Sequence, residues 1–255
     1  MANLSRRDFT QSLLSTLLFY SLFDSIVSSS AFCTKLSVET LIWSKQLGEI
    51  ARELRSKELS PTQWQDRVEA ILSGVDLPDL LSRIDFARLQ RGFHLRSDSA
   101  DSFRLDFSEL SGMSSTLNYA TRIFGMREGR SIMPHGHHNL VSAHLAIQGN
   151  LHVRNFQRIS DEPGYLLIEP TVDKVINVKD CSTQSSFRNN VHWFTAVNGS
   201  AYTFDVVVDG LEPDQESGLD FIDPLQALKA GEGRLRAPRL TREQAQKRYG
   251  NEIHH

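Results

Sequence analysis

Apolar residues along the chain follow two rhythms, and the change between them falls near Gly92. From residue 36 to 90 they recur at helical spacing, as in Leu41, Leu47, Ile50 and Leu54, then Trp64, Val68, Ile71 and Leu72. Ser60-Pro61 supplies an N-cap followed by a first-turn proline, and Gly74 stands where a helix end favours a left-handed residue. Three short helices are predicted, the third over 78–90. The stripe through Trp64, Val68 and Ile71 is a core-facing one, not a ligand site. Past Gly92 the period drops to two. Short β-branched or aromatic runs at 119–126, 140–147, 151–156, 165–169, 172–178, 191–197 and 201–208, separated by Gly, Asn, Asp or Pro, predict the strands of a sandwich or barrel. Residues 241–255 are charged and predicted helical, with the terminal His254-His255 solvated.

Composition narrows the class. The 255 residues are 40% apolar and 23% charged, which supports one main domain plus an extension. A net charge of −3 without any long run of Lys or Arg gives no phosphate-backbone footprint, so no nucleic-acid partner is expected. Cys33 and Cys181 are too few for a disulfide framework and form no CxxC pair; a single bridge between them stays open.

The first thirty residues read differently. Ser5-Arg6-Arg7-Asp8-Phe9 precedes an apolar stretch, 13–27, diluted by Ser and Asp24 and followed by Ser28-Ser29-Ser30-Ala31. This resembles a twin-arginine export signal, a receptor-read address; an amphipathic first helix with a chance Arg pair is the other reading. The signal implies a periplasmic protein whose mature chain starts between Ala31 and Lys35. The stretch falls short of the roughly 20 clean apolar residues of a bilayer span, so no stable membrane span is expected after processing. Phe32 precedes Cys33 where a lipoprotein signal needs a small residue, which excludes lipidation. The expected division is an export signal over 1–32, a helical segment over 36–92, a β-barrel over 93–230 and a charged tail over 231–255.

Four of the nine histidines fall within ten residues: His135, His137, His138 and His144. Residues two apart on a strand share a face, so His135 and His137 aim two imidazoles at one point while His138 turns away. Continuing the alternation puts Val141, Ala143, Leu145 and Ile147 on the ligand side as barrel lining, and turns His144 outward unless a bulge intervenes. Further on, Asn198-Gly199 between two strand-like runs is the strongest short hairpin signal. With those two as the loop, His192 faces Asp205 across the hairpin, about 5 Å apart at Cβ. An acid in that position commonly orients a metal-bound imidazole or handles a proton beside it; a partly exposed acid at a barrel mouth is the other reading.

At this point the chain resembles the cupin superfamily, and within it the thiol dioxygenases of the plant cysteine oxidase and cysteamine dioxygenase group. The matching stretches are Ile132-Met133-Pro134-His135-Gly136-His137, Gly149-Asn150-Leu151-His152-Val153, Asn190-Val191-His192-Trp193-Phe194-Thr195-Ala196 and Asp205-Val206. They lie within 119–208, about a third of the chain. The resemblance implies a double-stranded β-helix (jelly-roll) barrel that is mainly β, with ferrous iron on His135, His137 and His192 and with Asp205 in the active site. Val141 and Ser142 stand where the usual cupin carries a glutamate ligand, so the donor set is three neutral imidazoles. Two features depart from the group: its Pro-Pro-Tyr stretch is replaced by Val208-Asp209-Gly210-Leu211-Glu212-Pro213, and Tyr202 falls on the wrong face to stand in for its tyrosine.

The expected activity is an iron-dependent dioxygenase that turns a small-molecule or peptide thiol and O2 into a sulfinate, with Arg122 or Arg130 pairing a substrate carboxylate. Two other classes stay open: a cupin of isomerase or hydrolase chemistry using Zn, Mn or Ni, and a non-catalytic periplasmic binding module using the helical segment as its partner surface.

Overall fold

The computed structural model describes residues 31–32, 38–93, 95, 100–106 and 118–250. Its helices are α1 (Val38–Arg55), α2 (Pro61–Ser73), α3 (Leu77–Arg83), α4 (Phe86–Gly92) and α5 (Arg242–Tyr249). The strands are β1 (Ala31–Phe32), β2 (Asp101–Asp106), β3 (Ala120–Met126), β4 (Ser131–His138), β5 (Leu140–Glu162), β6 (Tyr165–Ile176), β7 (Cys181–Gln184), β8 (Val191–Asp209), β9 (Gly218–Ile222), β10 (Leu228–Lys229) and β11 (Leu235–Leu240). Ser60 caps α2 in a capping box with Gln63, and Pro61 occupies the first turn as its fixed φ allows. Gly74 ends that helix in right-handed geometry, φ −85°, not the left-handed cap expected. The single helix predicted over 78–90 is two, because Asp85 takes φ 48° between α3 and α4.

The strands pair in the order β1-β2-β3-β8-β4-β9-β11-β6-β5-β7, and an additional β5–β8 pairing closes β4, β8, β5, β6, β11 and β9 into a ring. Nearly all neighbours are antiparallel, which gives the jelly-roll barrel expected for a cupin fold; only the short β1 runs parallel to β2. Closure matters because a closed ring leaves no unpaired edge around the site it encloses.

Three predicted strand pairs are single long strands. The hairpin expected at Asn198-Gly199 does not form: β8 runs through it and pairs along its length with β5, from Leu140↔Asp209 to Phe156↔Val191. Both strands bend at one place, where Gly149 alone stands opposite residues 198–201. Gly149 has φ +76°, and a Cβ on it would lie 2.3 Å from the Ser200 carbonyl oxygen, so only glycine fits the bend. Asn-Gly supplies positive φ here as it does in a turn, φ 57° and 109°, but spends it on a bulge.

The helices are packed onto the barrel. Trp43, Leu47, Trp64, Val68, Leu80 and Phe86 share one buried cluster with Val141, Ala143, Leu145 and Ile147 of β5 and with Tyr202, Phe204, Val206 and Val208 of β8. Within the segment expected as a charged tail, β11 pairs with β6 and β9, and the helix expected past 241 is α5, which seats Ala245 and Tyr249 against Met133 and Trp193. No helix among the described residues is long and apolar enough to cross a membrane. Cys181 carries a free thiol. Cys33, His254-His255 and all of the predicted export signal except Ala31–Phe32 lie outside the described residues.

Candidate metal centre

His135 and His137 sit on β4, two residues apart and on one face, and His192 enters from β8 as the Cα partner of His135. Their ring centroids are 4.2 Å apart for His135–His192, 4.8 Å for His137–His192 and 5.0 Å for His135–His137. One nitrogen from each lies within 4.8 Å of those of the other two. All three residues are buried, at 4%, 5% and 1% exposure. Burial lowers the His135 pKa to about 4 and holds His137 and His192 well below the ordinary imidazole value, each pressed further by its neighbouring histidines. The cluster is therefore neutral, with its lone pairs free to donate, at any pH near 7.

Hydrogen bonding fixes one tautomer. The His135 Nδ1–H donates to the Met133 carbonyl at 2.7 Å, so Nε2 carries the lone pair, and it points at His137 Nε2 only 3.1 Å away. His137 Nδ1 and both ring nitrogens of His192 find no hydrogen-bond partner despite their burial. Buried polar atoms left unpaired cost about 1–3 kcal/mol each, and three converging imidazoles, two of them with unpaired nitrogens, fit a divalent cation coordinated between them. No carboxylate belongs to this donor group.

Asp205 and His144 stand elsewhere than the alternation predicted. Asn139, at φ 55°, separates β4 from β5 and resets the strand parity. Leu140, Ser142 and His144 consequently face the cavity, while Val141, Ala143, Leu145 and Ile147 face the helices, the reverse of the expected lining. His144 is buried at 5%, with its ring 5.0 Å from that of His192. Because the hairpin does not form, Asp205 is not the partner of His192; it is the Cα partner of His144 and of Arg122. Its Oδ2 lies 2.7 Å from His144 Nδ1, and His144 Nε2 lies 3.0 Å from Ser142 Oγ. Asp205 thus reaches the three imidazoles through His144. The missed signal was Asn139, a residue type that tolerates left-handed backbone, directly after the histidine run.

Arg122 is buried and lines the cavity, with Nη1 3.4 Å from Ser102 Oγ. Arg130 is not a cavity residue; its Nη1 donates to the Gly250 carbonyl at 2.8 Å and tethers the end of α5. His138 turns away as expected and pairs with Asp220. Tyr202 packs on the helix side against Phe86 and Phe93. Phe124, Ile132, Leu140, Val207 and Leu219 form the apolar side of the cavity.

No family model matches the chain, and no curated protein matches it. Solved structures do. An oxalate oxidase in complex with the substrate analogue glycolate is 19% identical over 49% of this chain and 55% of its own, with a TM-score of 0.34. KdgF from Halomonas sp. is 11% identical over 44% and 79%, TM-score 0.32. A protein with a double-stranded β-helix domain from Klebsiella pneumoniae subsp. pneumoniae is 13% identical over 42% and 71%, TM-score 0.31. The chain spans about half the length of the oxalate oxidase and 23% of procruciferin, an 11S globulin from Brassica napus.

Proposed function

We propose that the chain is an iron-dependent dioxygenase that oxidises a thiol, small-molecule or peptide, to a sulfinate, with His135, His137 and His192 as metal ligands. The observation that carries this reading is the donor set: three neutral, buried imidazoles without a carboxylate, opening into a cavity with an apolar side. Bound there, ferrous iron keeps its double positive charge and supplies both an acidifying partner for a thiol and one-electron reactivity toward O2. The overall change, RS⁻ plus O2 giving RSO2⁻, needs no further reductant.

The chain's own residues supply the rest. Asp205 accepts the Nδ1–H of His144, which leaves Nε2 to receive the proton that the thiol gives up. Ser142, within hydrogen-bond distance of that Nε2, lies on the same wall. Phe124, Ile132, Leu140, Val207 and Leu219 keep water from the reacting sulfur. Arg122, which lines the cavity, would be the residue to meet a substrate carboxylate. The twin-arginine-like start supports a periplasmic location, and export in a folded state would let the metal be inserted before translocation.

One observation favours a second reading. A buried His–Asp pair beside the ligands is also the acid–base equipment of an isomerase or hydrolase working with Zn or Mn. Metal analysis of protein purified without chelator or polyhistidine resin, together with oxygen uptake across a panel of thiols, separates the two. The dioxygenase requires iron near one per chain and O2 consumption with at least one thiol. Iron at that level with no uptake by any thiol removes the dioxygenase and leaves the acid–base reading.

A further inference from the structure

Only one of the three imidazoles has its ring anchored by a hydrogen bond to the protein backbone. His135 holds the Met133 carbonyl, whereas His137 Nδ1 and both nitrogens of His192 hold nothing. Beyond the packing of the rings on one another, what fixes the distance between His137 and His192 acts through their backbones. The β4–β8 ladder joins His135 to His192 and Gly136 to Val191, and there it stops. On its other edge β4 pairs with β9 from His135 to His138, so His137 faces Leu219 there but has no partner on β8. His137 thus lies one residue past the last ladder position that ties its strand to the strand of His192.

The gap is closed by a side chain. Asn190, two residues before His192 and fully buried, donates from Nδ2 to the His137 carbonyl at 2.8 Å and to the Ser185 carbonyl at 3.4 Å. Room for it exists because residue 136 is glycine: a Cβ there would lie 2.9 Å from Asn190 Oδ1 and 3.2 Å from Val191 Cγ2. The glycine between the two β4 ligands and the asparagine ahead of the third form one fitted contact.

We propose that Asn190 is a positioning residue of the metal centre, a clasp that sets the spacing of His137 and His192, with Gly136 kept small to admit it. It touches no substrate and donates no lone pair to the ion. The proposal rests on the reading of the three histidines as metal ligands.

Cobalt(II) titration of the metal-free protein tests it, read by calorimetry and by the visible absorption of the bound ion. Asn190→Ala is expected to weaken Co2+ binding about 10–100-fold, as loss of a partner that orients a ligand does, and to alter the Co2+ spectrum. Asn190→Asp keeps the volume without the donated hydrogen bond and is expected to do the same, should the alanine variant fold poorly. Leu80→Ala, a core truncation on α3 in the helical layer, is the control: it lowers Tm while affinity and spectrum stay at wild type. Gly136→Ala is expected to weaken binding in the wild-type background and to do so less when Asn190 is already alanine. Wild-type affinity and spectrum in both Asn190 variants overturn the clasp alone. A wild-type protein that binds no Co2+ overturns the clasp and the metal centre together.

Discussion

The two faces of β5 between Leu140 and Ile147 are built for different ends. On the inner face Leu140, Ser142 and His144 line the cavity, with His144 joined to Asp205 and Ser142 in a buried polar chain. On the outer face Val141, Ala143, Leu145 and Ile147 make only apolar contact with the helical layer. A strand one residue thick therefore separates chemistry from most of the packing that stabilises the fold. The same division holds for β8, where Asp205 and Val207 face inward and Phe204, Val206 and Val208 outward. The two faces should respond to substitution in different measurements: inner and ligand residues in metal affinity and reaction, outer ones in stability.

The largest effect belongs to the ligands. His135→Ala removes one donor of three and is expected to lower metal occupancy more than tenfold, measured on protein purified without added metal. Unaltered occupancy refutes the ligand set.

Next comes the residue that creates the division. Asn139 holds φ 55°, donates from Nδ2 to the carbonyls of Glu212 and Gln215, and accepts the Glu212 N–H on Oδ1. Asn139→Ala loses those hydrogen bonds and places a residue less tolerant of left-handed backbone at the joint. Chemical denaturation should show a loss of about 3 kcal/mol. A loss below the ordinary scatter of surface substitutions would mean that the joint is held by the strands on either side.

Acid separates the faces without a mutation. The unfolded chain takes up protons at its histidines below pH 6.5, whereas folded His135 resists until about pH 4 and His137 and His192 resist further. The folded state's depressed pKa values make stability fall as pH falls through that window, by about 2 kcal/mol between pH 6.5 and 5 from His135 alone. Thermal melts of metal-free protein at pH 7 and pH 5 read this directly. Equal Tm values would mean that the three rings are not buried as neutral imidazoles.

How much of this the sequence disclosed depends on which rule was asked to carry across a joint. Period-two alternation brought His135 and His137 to one face, and the structure adds His192 from β8. The same alternation failed from Leu140 on, three residues past His137, because the left-handed Asn139 reverses the side chains that follow it on β5. Asn198-Gly199 misled for a related reason: positive φ at two successive residues suits a tight turn and a bulge equally, and the long partner β5 decided for the bulge. The helical segment was legible from its apolar stripe, but its partner was not, since nothing local marks Val141 or Leu145 as facing helices. The tail carried no local sign that it returns to the barrel, because β11 is short and its pairing to β6 and β9 is wholly non-local.

The smallest predicted effect is the most discriminating between the faces. Ile147 is buried at 2% in the cluster shared with the helices, and on the adjoining bend its neighbour two residues along is Gly149. Ile147→Val removes one methylene, costing about 1 kcal/mol of folding stability. If β5 partitions the molecule as argued, the metal affinity of this variant stays within about twofold of wild type, because its ΔΔG and that of a distant, unshared site add independently. A stability loss of that size accompanied by a tenfold loss of affinity would mean that the helical layer reaches through the strand to set the ligand geometry, and the two faces would have to be treated as one unit.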